Sequence, residues 1–280
     1  MRDVITMWKH TKMVVLVALT AAVYAAVLTP FKVAVIIPGF TEVRPGAAVP
    51  VVFGLLFGPA AAWGSAFGNL VGDFSGTLGP GSIPGMVGNF LLAYVPYRMW
   101  RAFRGDRPAD GSASQLGWLI LCAATGGVAC AVTIGFGVSA LGLVPYGAFA
   151  TAVSINNGII GTAISVILLP LLYPRAWKWG LIYTDVLDVW EYRGRRVART
   201  GAVLTILGCL MGLLLALAFF VVGLLGPSTP ALAQIDVKTM PVPAAGLCSL
   251  LIIIGVVMMS PFGRAADGSD AAKIAAEEES

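Results

Sequence analysis

Few side chains in this 280-residue chain can do chemistry, and they gather in a few places. Asp73 is the only charged residue between Arg44 and Arg98. A carboxylate within an apolar stretch is costly unless it is paired or meets water. Asn69 precedes it by four residues and therefore shares its helical face. Asn89, Ser154, Asn156 and Asn157 fall at comparable depth when residues are counted from the outer ends of their helices. Two arrangements fit these residues. They converge on a polar pocket that opens outward, with Arg44 at its mouth, or they make interhelical hydrogen bonds around an Arg44–Asp73 pair. Adjacent asparagines on an α-helix point about 100° apart, so only one of Asn156 and Asn157 faces a given pocket. Such a pocket suits a mainly apolar or aromatic ligand with a few hydrogen-bonding groups.

Other chemistries lack their residues. The single histidine, His10, rules out HExxH and His-ligated metal centres. Cys122, Cys130, Cys209 and Cys248 lie in apolar runs with no CxxC pair, as small apolar side chains do. No GxxxxGK[ST] is present, so ATP is not bound through a P-loop. No embedded chain of Asp, Glu, His or Lys marks a proton path. The expectation is a protein that is not an enzyme, with no catalytic residue, no metal or cofactor, and no nucleic-acid partner.

The elements that must hold these residues are membrane helices. The chain is 58% hydrophobic and 11% charged, against about 25% charged in soluble domains. Its mean hydropathy is +0.87. A spanning helix needs about 20 apolar residues. Eight stretches qualify, at 12–30, 45–58, 60–78, 83–99, 115–140, 147–173, 200–225 and 242–260, the second of them short. An all-α integral membrane protein with about eight transmembrane helices follows.

Basic residues orient it. Arg2, Lys9 and Lys12 precede the first stretch, Arg98, Arg101, Arg104 and Arg107 end the fourth, and Arg175 to Arg199 lie between the sixth and seventh. The positive-inside rule places all three clusters, and both termini, in the cytoplasm of a cell (plasma or inner) membrane. The N-terminus reads as the lead-in to a retained first span rather than a cleaved signal. Residues 176–192 pattern as an amphipathic interfacial helix. Residues from about 261 to 280 are polar, acidic and expected to be disordered.

Small residues repeat on two helices. Gly64, Gly68, Gly72 and Gly76 line one face of the third stretch and admit a neighbouring backbone. Ala18, Ala22 and Ala26 stripe the first.

The stretch from Glu42 to Trp100 resembles the substrate-binding S components of energy-coupling factor (ECF) transporters. The marks are the short Phe57-Gly58-Pro59 turn, a small-residue third span ending in Gly72-Asp73, the glycine-rich loop before the fourth span, and the AxxxA spacing of Ala18, Ala22 and Ala26. The resemblance covers about residues 1–175, a six-span core. It implies capture of a vitamin or other micronutrient from outside, then docking on a coupling protein and two ATPase subunits, with Ala18, Ala22 and Ala26 meeting the coupling protein. The substrate-binding residues, Asp73, Asn69, Asn89, Asn156, Asn157 and Arg44, come from the physical reading alone. S components usually end near six spans. Here a cytoplasmic amphipathic segment (176–199), two further transmembrane helices (200–260) and the tail (261–280) follow. The alternatives are a membrane scaffold of the same fold that transports nothing, and a stand-alone secondary carrier.

Overall fold

A computed structural model describes residues 2–31, 35–37, 41–42, 44–75, 77–105, 109–187, 195–229 and 232–260. Eight helices of ten residues or more lie among them, one for each apolar stretch. They are α1 (Thr11–Phe31), α2 (Ala48–Phe57), α3 (Pro59–Asp73), α4 (Ser82–Arg104), α5 (Leu116–Ala140), α6, α7 (Arg195–Leu225) and α8 (Val242–Met259). The composite helix α6 joins Tyr146–Val153, a π-helical turn at Ser154–Gly161, and Thr162–Lys178. Two short antiparallel strands, β1 (Val35–Ile37) and β2 (Thr41–Glu42), pair between α1 and α2.

Five helical segments are long and apolar enough to cross a membrane: Thr11–Phe31, Ala113–Ala140, Tyr146–Val186, Arg196–Leu225 and Val242–Met259. The other three differ for physical reasons. The helices α2 and α3 hold only 10 and 15 residues. Gly58, at φ 60°, breaks the chain between them, and Pro59 starts the next helix with its fixed φ. Asp73 closes α3, short of the expected 78. In α4 the length suffices, but Asn89, Arg98, Arg101 and Arg104 lower its apolarity. Every residue of α2 is buried, so it lies inside the bundle.

The glycine repeat packs α3 on α1. A side chain on Gly68 would meet Ala21 O at 2.8 Å, and one on Gly64 would meet Val17 O at 2.8 Å. Gly76 lies outside the described residues. Contact with α3 occupies Val17, Thr20 and Tyr24, so the opposite face of α1, with Ala18, Ala22 and Ala26, is exposed.

The chain before α1 is part of the fold. Asp3 and Met7 are fully buried, and Trp63 Nε1 on α3 donates to Val4 O at 2.9 Å. The Tyr94 hydroxyl on α4 donates to Asp3 Oδ1 at 2.9 Å and shares a 3.1 Å hydrogen bond with Ser260 Oγ, just past α8. The described chain therefore begins and ends at one end of the bundle.

The last two helices pack on the core through missing side chains. A Cβ on Gly201 would meet Gly255 O at 2.6 Å, and one on Gly208 would meet Cys248 O at 3.0 Å, which draws α7 and α8 together. A Cβ on Gly147 would meet Phe220 N at 2.6 Å, and Tyr146 donates to Gly212 O at 2.9 Å, which ties α7 to α6. The expected amphipathic helix over 176–192 is not continuous. Helix α6 runs on to Lys178, Gly180 turns the chain at φ 59°, and Tyr183–Val186 forms one separate turn. Residues 188–194 and the tail from 261 lie outside the described residues.

Candidate polar site where three helices meet

The acidic end of the site rests on α3. Asp73 takes a hydrogen bond at each oxygen: Asn69 Nδ2 reaches Oδ2 at 3.2 Å, and Thr77 Oγ1 reaches Oδ1 at 3.1 Å. Asn69 lies one helical turn before Asp73 on the same face, and Thr77, past the end of α3, is held by its N–H donating to Asp73 O at 2.9 Å. Gly85 on α4 faces this group, and a Cβ there would lie 3.1 Å from Asn69 Nδ2. The bare backbone at Gly85 lets the polar group of α3 abut α4, and its carbonyl accepts from Asn89 Nδ2 at 2.8 Å. The Asn89 carbonyl oxygen in turn accepts from the Tyr24 hydroxyl at 2.5 Å. Asp73, Asn69, Asn89 and Tyr24 thus form one polar line across α3, α4 and α1, all of it buried.

Arg44 approaches from the loop after β2. It caps the short 3-10 turn Pro45–Ala47 and is half-buried. That turn is wedged in place: a Cβ on Gly46 would touch Val27 at 3.3 Å on α1, and one on Gly161 would touch Ala47 Cβ at 3.1 Å on α6. The guanidinium and the Asp73 carboxylate both act electrostatically on Tyr24, with opposite sign. With Gly46 against Val27, about one turn beyond Tyr24 on α1, Arg44 stands beside the carboxylate, the phenol and the two amides of the polar line.

The π-helical turn supplies the inner edge. Asn156 and Asn157 are both buried, at 7% and 4% exposure. The wider π winding accommodates two adjacent buried asparagines, where an α-helix was expected to turn one away. Asn157 Nδ2 donates to Cys130 Sγ on α5 at 3.4 Å. A Cβ on Gly127 would collide with the Asn157 backbone at 2.6 Å, so α5 closes directly on the turn.

The sequence-derived residues thus fall into two connected groups. Asp73, Asn69 and Asn89 form the polar line, and Asn157 reaches it through Cys130, whose carbonyl oxygen would lie 3.1 Å from a Cβ on Gly88, next to Asn89. Asn156 is buried in the same turn. Tyr24, Thr77 and Cys130 were missed. Tyr24 had a signal: it stands seven residues before the end of α1, as Asn89 stands seven after the start of α4. Among the described residues no three His, Cys, Asp or Glu side chains gather as a metal site requires.

No curated protein and no solved structure matches the chain. A family model described as QueT transporter matches residues 14–174, more than half of the chain, from the start of α1 to near the end of α6. The glycine-packed α1–α3 pair, the polar line and the π-helical turn all lie inside that match. This multi-pass membrane chain belongs to the QueT transporter family, whose members are S components.

Proposed function

We propose that the chain is the substrate-binding subunit of an ECF-type transporter that captures a queuosine precursor. Queuosine carries a 7-deazaguanine base, so its precursors offer a flat, aromatic, largely apolar body with a hydrogen-bonding edge. The family name supports the substrate. The observation that carries the reading is the buried line Asp73–Asn69–Asn89–Tyr24 with Arg44 beside it: few polar groups in an apolar setting, as such a base needs. The site lies at the end of the bundle away from Asp3 and Ser260. With the termini in the cytoplasm it opens to the outside of the plasma membrane. The protein has no nucleotide-binding motif of its own, so energy comes from a coupling protein and two ATPase subunits. The exposed stripe of Ala18, Ala22 and Ala26 offers the coupling protein a close-packing face.

The test is calorimetric titration of the full-length protein in mild detergent with 7-deazaguanine. One tight site per chain supports the reading. No binding of this base, with tight binding of an unrelated vitamin, overturns the substrate.

A further inference from the structure

One buried acceptor beside the site has no partner among the described residues. Asn157 is 4% exposed, its Nδ2 donates to Cys130 Sγ at 3.4 Å, and its Oδ1 meets no donor. A thiol sulfur accepts weakly. The amide therefore spends its donor on little and its acceptor on nothing, an unfavourable state for a buried polar group. Turning the amide over would change which atom is open, not that one is.

The surroundings repeat the pattern. Asn157 sits in the π-helical turn Ser154–Gly161, and π turns are found mostly as short insertions, often at functional sites. Ser154 Oγ, in the same turn, is also buried and unpartnered. Helix α5 supports the turn at Gly127 and reaches the amide about one turn later at Cys130. A Cβ on Gly88, next to Asn89, would lie 3.1 Å from the Cys130 carbonyl oxygen, so the open amide borders the polar site rather than a separate one.

We propose that Asn157 is a specificity-determining residue and reads a ligand edge on which an N–H stands beside a C=O, as in a lactam or a guanine-type base. Oδ1 accepts from the ligand N–H, and the second Nδ2 hydrogen donates to the ligand carbonyl. Asparagine makes paired bonds of this kind to base edges. Cys130 is a positioning residue: by holding the first Nδ2 hydrogen it sets which way the amide faces. A base with the reversed edge, a bare ring nitrogen beside an amino group, presents its lone pair to Oδ1 and binds less well. The inference rests on the proposed uptake of a deazaguanine base.

The experiment titrates full-length protein in detergent with 7-deazaguanine and with 2,6-diamino-7-deazapurine, which reverses that edge, and records melting without ligand. Wild type should prefer 7-deazaguanine by tenfold or more. Asn157→Leu should lose at least tenfold in affinity while its unliganded melting temperature stays level or rises, because an unsatisfied buried group is gone and its volume is kept. Cys130→Ala should narrow the preference between the two bases. Equal affinity in wild type and Asn157→Leu overturns the inference and leaves the proposed function standing. A clear fall in the unliganded melting temperature of Asn157→Leu makes the amide a packing residue and also overturns it. A wild type that binds neither base overturns the proposed function, and the inference with it.

Discussion

The Arg98 guanidinium lies 3.6 Å from the Asp3 carboxylate, and both side chains are 1% exposed. Tyr94 and Ser260 complete the group, so the first residues of the chain, α4 and the end of α8 meet at one point. Asp3→Ala takes away the carboxylate beside a buried cation, a loss that typically costs about 3–5 kcal/mol. A markedly lower melting temperature in detergent is the expected result. Ligand affinity should fall less than stability, because Tyr94 and Arg98 stand five and nine residues beyond Asn89 on α4. An unchanged melting temperature would show that Arg98 draws its stabilisation elsewhere.

Tyr24→Phe removes the hydroxyl that satisfies Asn89 Oδ1. An unmet buried acceptor costs about 1–3 kcal/mol, so both ligand affinity and stability should fall. Asn89→Leu together with Tyr24→Phe should restore stability but not binding. Calorimetry and thermal melting on the two proteins separate these effects.

Gly68→Leu should be among the most damaging single changes in the core. Its side chain would have to displace the Ala21 carbonyl and the Tyr24 ring, which a mere Cβ would already approach to 2.8 and 3.1 Å, closer than van der Waals contact. Overpacking of this kind costs typically about 1–3 kcal/mol, and more against backbone. Loss of the folded peak in size-exclusion chromatography, or a collapse of ligand binding through Tyr24, is the expected readout.

Ala22→Leu tests the exposed face of α1. The residue touches no other helix strongly, so folding and ligand affinity should be unchanged. Co-purification with the coupling protein and its ATPases should drop sharply. Retained co-purification would move that contact away from the alanine stripe.

Five helices were legible from length and apolarity alone, and α2, α3 and α4 from apolar runs bounded by Gly58-Pro59, Asp73 and the arginines from Arg98 on. Asp73, Asn69 and Asn89 were legible because polar side chains are so rare in this chain. Arg98 was misleading. It counted as one more cytoplasmic marker among arginines, yet it is buried against Asp3, a residue 95 positions away that read as a simple lead-in. The π winding at Ser154–Gly161 left no mark in the sequence either, because its closest support is the bare Gly127 on another helix. The break at Gly180 was hidden by amphipathic periodicity that continues on both sides of it.

Helix α7 has a consequence for how the molecule sits in lipid. Its apolar portion, residues 202–225, is about 36 Å long at about 1.5 Å per residue, while a hydrocarbon layer is about 30 Å thick. Hydrophobic mismatch of this size is relieved by leaning. Glycine contacts at Gly201 and Gly208 fix α7 to α8, and Tyr146 fixes it to α6, so α7 cannot lean alone. Any lean of α7 is therefore shared by α8 and by α6 of the matched region.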